Sequence, residues 1–264
     1  MTEVALNPRL ESRLPPAAVL GAIAVVVAGA WLVLIERMAG MNAGPGGDPG
    51  TLGWFAATWA VMTVAMMLPA AAPAVLRLAA SRATGTPPGV AVFLLAYVAA
   101  WMLAGLAGYA IVQAVRGLDI GVLSWSAAGR YAAGAAIVAA GLYQLTEVNR
   151  RWLVRCRAPQ PRPGRRGLGG SALAGLEHGR CCVVCCWTLM VALYALGLMS
   201  LVWMAVLTAL IAGERVAPRP VQAARVVAVA LVAIGVAVAL APGSVPALTI
   251  PHAGHAMMGM RMGG

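Results

Sequence analysis

The chain lacks lysine altogether and is poor in charge of either sign. Its 264 residues include 19 arginines and 8 acidic residues, so that 10% are charged and 61% are hydrophobic. A soluble domain is usually about a quarter charged, and that class is excluded. Several apolar stretches instead run uninterrupted for the roughly 20 residues that cross a bilayer core. No small-residue cleavage site follows the first of them; Glu36 and Arg37 do, so it is expected to be a span and not a removed signal. The net charge of +11 has no aromatic-interleaved basic module beside it, which excludes a nucleic-acid partner. No ionisable residue is expected inside a span, which argues against an ion path through the bundle. No internal repeat is evident.

What is present is an all-α, polytopic transmembrane bundle of about six spans. Residues 1–16 form an N-terminal segment and 17–241 the bundle; 242–264 form a flexible tail. The spans are expected near 17–35, 52–76, 90–112, 131–145, 181–212 and 223–240. Eight of the 19 arginines lie between Arg150 and Arg180, in a basic loop at 147–180. Arginine-rich loops stay in the cytoplasm beside anionic headgroups. With the N-terminus inside, thirteen arginines lie inside and six outside, which favours a bacterial inner-membrane protein in that orientation. The weak point is the last outer loop, with Arg215, Arg219 and Arg225. Span five is also too long: residues 181–212 would make about 48 Å of helix against a core of about 30 Å. Either it projects from the bilayer or it breaks near 197–200. A break would make it re-entrant, placing the last loop inside and the tail outside.

There are only five cysteines. Their odd number and crowding exclude a disulfide-stapled secreted domain. Four fall within six residues, Cys181, Cys182, Cys185 and Cys186. On a helix they take angles of about 0°, 100°, 40° and 140°, with His178 near 60°. One face therefore carries four thiols and an imidazole, donors suited to a soft metal, copper(I) first and zinc second. The cluster is expected at a helix start, where the macrodipole favours thiolate. One helix supplies two or three ligands, so another element must complete the set. Cys156, just past span four, is the candidate. Against this stand plain readings: small apolar thiols, a spare Cys156, a His178 bonded to a helix end.

Other donors are less specific. Met62 and Met66 lie one above the other and are more simply core filler than copper ligands. Gln144 and Thr146 either orient ligands or bond between helices. Gly105, Gly108, Gly134 and Gly141 permit close helix approach. The tail holds His252, His255, Met257, Met258, Met260 and Met262, a mixed donor set able to capture copper and pass it on, or simply an unstructured terminus.

The chain resembles a widespread bacterial family of predicted metal-binding integral membrane proteins. The resemblance is carried by Trp59, Met62, Ala65, Met66, Met67 and Pro69, then by Tyr143, Gln144, Leu145 and Thr146 leading to Cys156, Arg157 and Pro159. His178, Gly179, Cys182, Cys185, Cys186, Trp187, Leu189 and Met190 follow, and Gly197, Met199, Trp203, Met204 and Glu214 complete it. It implies metal binding without naming the ion. Members often carry Cys where Trp152 stands and Gly where Val184 stands, and Cys181 is an extra thiol. The expected role is acquisition, buffering or delivery of copper(I), with the bilayer and a metal-donor or metal-acceptor protein as partners. Binding is favoured over catalysis. The alternatives are a membrane thiol–disulfide oxidoreductase using Cys182-x-x-Cys185, and a structural membrane subunit.

Overall fold

The computed structural model describes residues 15–38, 50–81, 86–117, 129–157, 167–196 and 200–241. Among these there are eight α-helices and no strand: α1 (Pro16–Met38), α2 (Leu52–Ala79), α3 (Pro87–Gly117), α4 (Arg130–Gln144), α5 (Glu147–Arg157), α6 (Gly167–Leu196), α7 (Leu201–Val216) and α8 (Pro220–Leu240). Five of them, α1, α2, α3, α6 and α8, are long and apolar enough to cross a membrane. Their outward faces carry bare aliphatic side chains such as Val25, Leu95, Leu103 and Val229. Water would penalise that surface, and lipid would not.

Local chemistry sets the helix ends. The Thr51 hydroxyl accepts from the Trp54 N–H at the start of α2. Ser200 does the same for Trp203 at α7, and Pro220 opens α8, where its missing N–H costs nothing.

Expected spans one, two, three and six correspond to α1, α2, α3 and α8. The fourth has the expected length, shifted by one residue: α4 has 15 residues, about 22 Å at 1.5 Å each, which falls short of a core of about 30 Å.

The region expected as a basic loop is largely helical. Residues 147–157 form α5, and α6 begins at Gly167, so the cysteines lie in mid-helix and not at a helix start. The macrodipole of an N-terminus, confined to the first turn, therefore does not act on them. The reason for the misplaced boundary is glycine. Gly175 and Gly179 each cost a helix about 1 kcal/mol relative to Ala, and so favour a loop on local grounds. Here tertiary packing requires them. A Cβ on Gly175 would lie 2.2 Å from the Phe93 carbonyl oxygen, and one on Gly179 2.6 Å from the Ala100 Cβ. Their bareness lets α6 lie directly on α3.

Residues 181–212 are not one span. α6 ends at Leu196 and α7 begins at Leu201, and α7 folds back along the bundle. Arg215, near its end, touches Cys185, eleven residues before the end of α6. The same end of α7 meets the end of α5, where Arg157 donates to the carbonyls of Glu214 (3.2 Å) and Ala217 (2.6 Å). Of the two expected geometries for this segment, the structure has the break.

α6 is the axis of the bundle, packing on α3, α4, α5 and α7. The main core joins its inward residues Leu189, Leu193 and Leu196 to Met62, Met66 and Met67 of α2, to Tyr97 and Trp101 of α3, and to Met204 of α7. A separate interface zips α4 to α8, where Cβ atoms on Gly134 and Gly235 would lie 2.6 and 2.8 Å from each other's carbonyl oxygens.

Candidate metal centre

The five cysteines are all free and all buried. The helical wheel put four of them on one face, and α6 turns that face inward: Cys182, Cys185 and Cys186 are 1–2% exposed and Cys181 6%. Cys156 arrives from α5, with its Sγ 3.7 Å from that of Cys185, which is in turn 3.7 Å from that of Cys186. A tetrahedral site with metal–sulfur bonds of about 2.3 Å has sulfurs about 3.8 Å apart, so these spacings fit a shared ion. Cys181 sits beside Cys156 at the edge of the group.

Arg215 occupies the middle of this group. Its Nη2 lies 2.7 Å from Cys185 Sγ and 3.4 Å from the Sγ of both Cys182 and Cys186. One cationic nitrogen is thus within reach of three sulfurs. Among the described residues, no set of three or more His, Cys, Asp or Glu side chains stands as a ready ion cage; the guanidinium fills the locus on which the sulfurs converge. Arg215 is 6% exposed and its neighbour Glu214 3%, contrary to the expectation that no span region buries a charge. The expectation failed because Glu214 and Arg215 close an apolar run and look like the start of a loop. They are buried only because α7 folds back.

The electrostatics favour thiolate at Cys156. Burial works against its charge, but hydrogen bonds from Cys181 and Cys185 and the nearby Arg215 outweigh it and bring the thiol down to about 3.

Several groups hold the centre. The Tyr97 hydroxyl donates to the Met67 carbonyl at 3.1 Å and lies 3.3 Å from Cys182 Sγ. His178 borders the centre, its ring between those of Phe93 and Tyr97 at 5.9 and 5.6 Å. Gln144 donates to Glu214 at 3.4 Å and accepts from Asn149 Nδ2, so it bonds between helices and does not face a sulfur. Thr146 is exposed and caps α5, accepting from the Asn149 N–H at 3.2 Å. Met62 and Met66 are buried core neighbours of the cysteines. Trp152, where relatives often have Cys, lies beneath the guanidinium groups of Arg155 and Arg180, each 5.4 Å from its ring. The tail donors His252, His255, Met257, Met258, Met260 and Met262 lie outside the described residues.

A cavity of about 290 Å³ opens beside the thiols, with Arg77, Cys156, Arg157, His178 and Arg215 in its wall. Neither Arg77 nor Arg215 is a site candidate from sequence; Arg215 counts there only as an outer-face charge. Their only signal is the position of each at the end of an apolar run.

The described helices thus form a bundle with five membrane-length members and five buried cysteines near its axis. Residues 56–238 match a family model whose description is copper chaperone (PpoB2), and the chain belongs to that family. No curated protein and no solved structure matches it.

Proposed function

We propose that the chain is a bacterial inner-membrane copper chaperone that holds copper(I) on Cys156, Cys182, Cys185 and Cys186 as cargo for a partner protein. Cys181 and His178 stand next to this set as reserve donors, and the His/Met tail is a capture segment. The observation that carries the reading is Arg215, whose single cationic nitrogen stands within 3.4 Å of three sulfurs. Where one positive charge is stabilised by converging sulfurs, a soft monovalent ion is stabilised better, because thiolate sulfur is the donor copper(I) prefers. On loading, Nη2 yields the centre to the ion. The guanidinium remains as counter-charge for a thiolate set that would otherwise be an uncompensated buried anion.

The fold-back of α7 bears on orientation. It brings Arg215 to the end of the bundle that carries Arg157, and Arg219 follows close behind. The three arginines that weakened the charge count then join the basic segment on the cytoplasmic side, as a re-entrant span five requires. Cargo would be received and released at that face, and the tail would lie on the other.

The test is metal content and thiolate-to-copper absorption of the purified protein, before and after replacing Cys182, Cys185 and Cys186 with Ser. The expected result is near-stoichiometric copper in the wild type and loss of both signals in the variant, a drop in affinity of more than about a thousandfold, or 4 kcal/mol. Undiminished copper binding by the triple variant ends the proposal. Zinc retained in preference to copper under reducing conditions would reassign the cargo.

A further inference from the structure

We propose that the cavity bordered by α2, α5, α6 and α7 is a docking site for a small anionic thiolate complex of copper(I), from which the buried cysteines draw the metal. This rests on the copper reading above and names the form in which the cargo arrives.

Size is the first argument. A bare ion does not need about 290 Å³. That volume is close to ten times the space of a water molecule, and it lies at the lower end of small-molecule pockets, about 300 Å³.

Charge is the second. Arg77, Arg157 and Arg215 all contribute to the wall, and among the described residues no carboxylate does. Arg215 is matched by the sulfurs, but Arg77 and Arg157 face the cavity without a carboxylate in its described wall, and this basic rim repels a free cation and attracts an anion. A copper(I) ion held by two thiolates carries a net negative charge, and carboxylates on the carrier would add to it. Guanidinium forks are suited to such carboxylates.

The third argument is a donor with no acceptor. Arg215 Nη1 is buried and has no hydrogen-bond partner among the described residues, although Nη2 of the same side chain faces the sulfurs. One guanidinium thus has a nitrogen on the metal locus and another free for an acceptor. A buried donor left unmet is costly, and an anion within reach would offset that cost.

The position of Cys156 completes the route. It belongs to the cavity wall and is also 3.7 Å from Cys185, so its sulfur can meet the complex first and hand the ion inward. The transfer is a ligand exchange. Each copper–sulfur bond to the carrier is replaced by one to a protein sulfur, and each displaced carrier thiolate leaves as such or takes the proton of the thiol that replaced it. Copper stays in the +1 state and no electron moves.

The full chain in detergent can be loaded from two probes, copper(I)–glutathione, an anionic thiolate complex, and copper(I)–acetonitrile, a cationic one. The rate of appearance of copper–thiolate absorption is followed for wild type and Arg77→Gln. Arg77 is exposed at the end of α2, so the variant should fold. We expect loading from the glutathione complex to slow about tenfold in the variant. Loading from the acetonitrile complex and the final copper content should not change. Equal rates for wild type and variant with the glutathione probe would overturn the proposal. A metal-free arm separates this result from the copper reading. S-methylglutathione, which has no thiol, should protect Cys156 from alkylation in the wild type and less so in Arg77→Gln. Absence of protection would overturn the docking site even if copper loads normally. Protection without copper uptake from either probe would overturn the copper reading, and this one with it.

Discussion

Two interfaces in this bundle are built in opposite ways. Where α4 meets α8, contact is backbone on backbone: Gly134 and Gly235 face each other, and Gly141 lies against the Ala228 carbonyl. No charged side chain intrudes. Where α5, α6 and α7 meet, the buried groups include five thiols, Asn149, Glu214 and Arg215. In a membrane the first interface gains dispersion energy at little polar cost. The second desolvates a cation and a carboxylate, which is expensive and rarely kept for stability alone. The first interface is of the kind that holds a bundle together, and the second is the one to which the proposed function is assigned.

Removing the buried cation tests that contrast most severely. In Arg215→Met the thiol cluster loses its counter-charge, and we expect a stability loss of about 3–5 kcal/mol. Added copper(I) should raise the thermal midpoint of this variant more than that of wild type, since the ion takes over the vacated charge. A variant as stable as wild type, or one indifferent to copper, would place the junction in the same purely structural class as the α4–α8 contact.

The other interface should fail differently. Gly235→Val drives side-chain atoms into the Gly134 carbonyl and the Val138 side chain, both within 2.8 Å of a Cβ at that site. Overpacking of this kind costs about 1–3 kcal/mol. Copper stoichiometry of the folded fraction should be unchanged, as measured by metal analysis after size-exclusion chromatography. Lost copper at retained fold would erase the distinction drawn between the two interfaces.

The smallest expected effect sharpens the boundary of the site. Thr146→Ala removes the cap of α5, worth about 1 kcal/mol. Because α5 carries Cys156, copper affinity should fall by less than about tenfold, in a competition titration against a chromophoric chelator. A thousandfold loss would mean that Thr146 acts on the metal more directly than a cap.

How legible the molecule was depends on how local each feature is. The apolar spans α1, α2, α3 and α8 follow from composition over windows of about 20 residues. The inward ridge of cysteines follows from 100° per residue. Cys156 was reachable because span four and the cysteine helix had to meet at one end of the bundle. The start of α6 was not legible, because Gly175 and Gly179 argue for a loop unless α3 is already in place. Nor was α7: a run from 181 to 212 is apolar throughout, and its length left both a projecting helix and a re-entrant break open. Arg215 suffered most from this. As a loop residue it counted as an outer-face charge, and the structure makes it the centre of the sulfur cluster.

The sequence by itself thus determined an all-helical, lipid-compatible chain with one thiol-bearing helix face. These properties are set by side chains and their near neighbours along the chain. Tertiary structure alone decided that α7 doubles back, that Arg215 enters the ring of sulfurs, and that three arginines share a cavity with Cys156. Those facts join residues as far as 138 positions apart, and the turn angle and glycine-mediated approach that join them are properties of packed helices, not of any stretch of sequence.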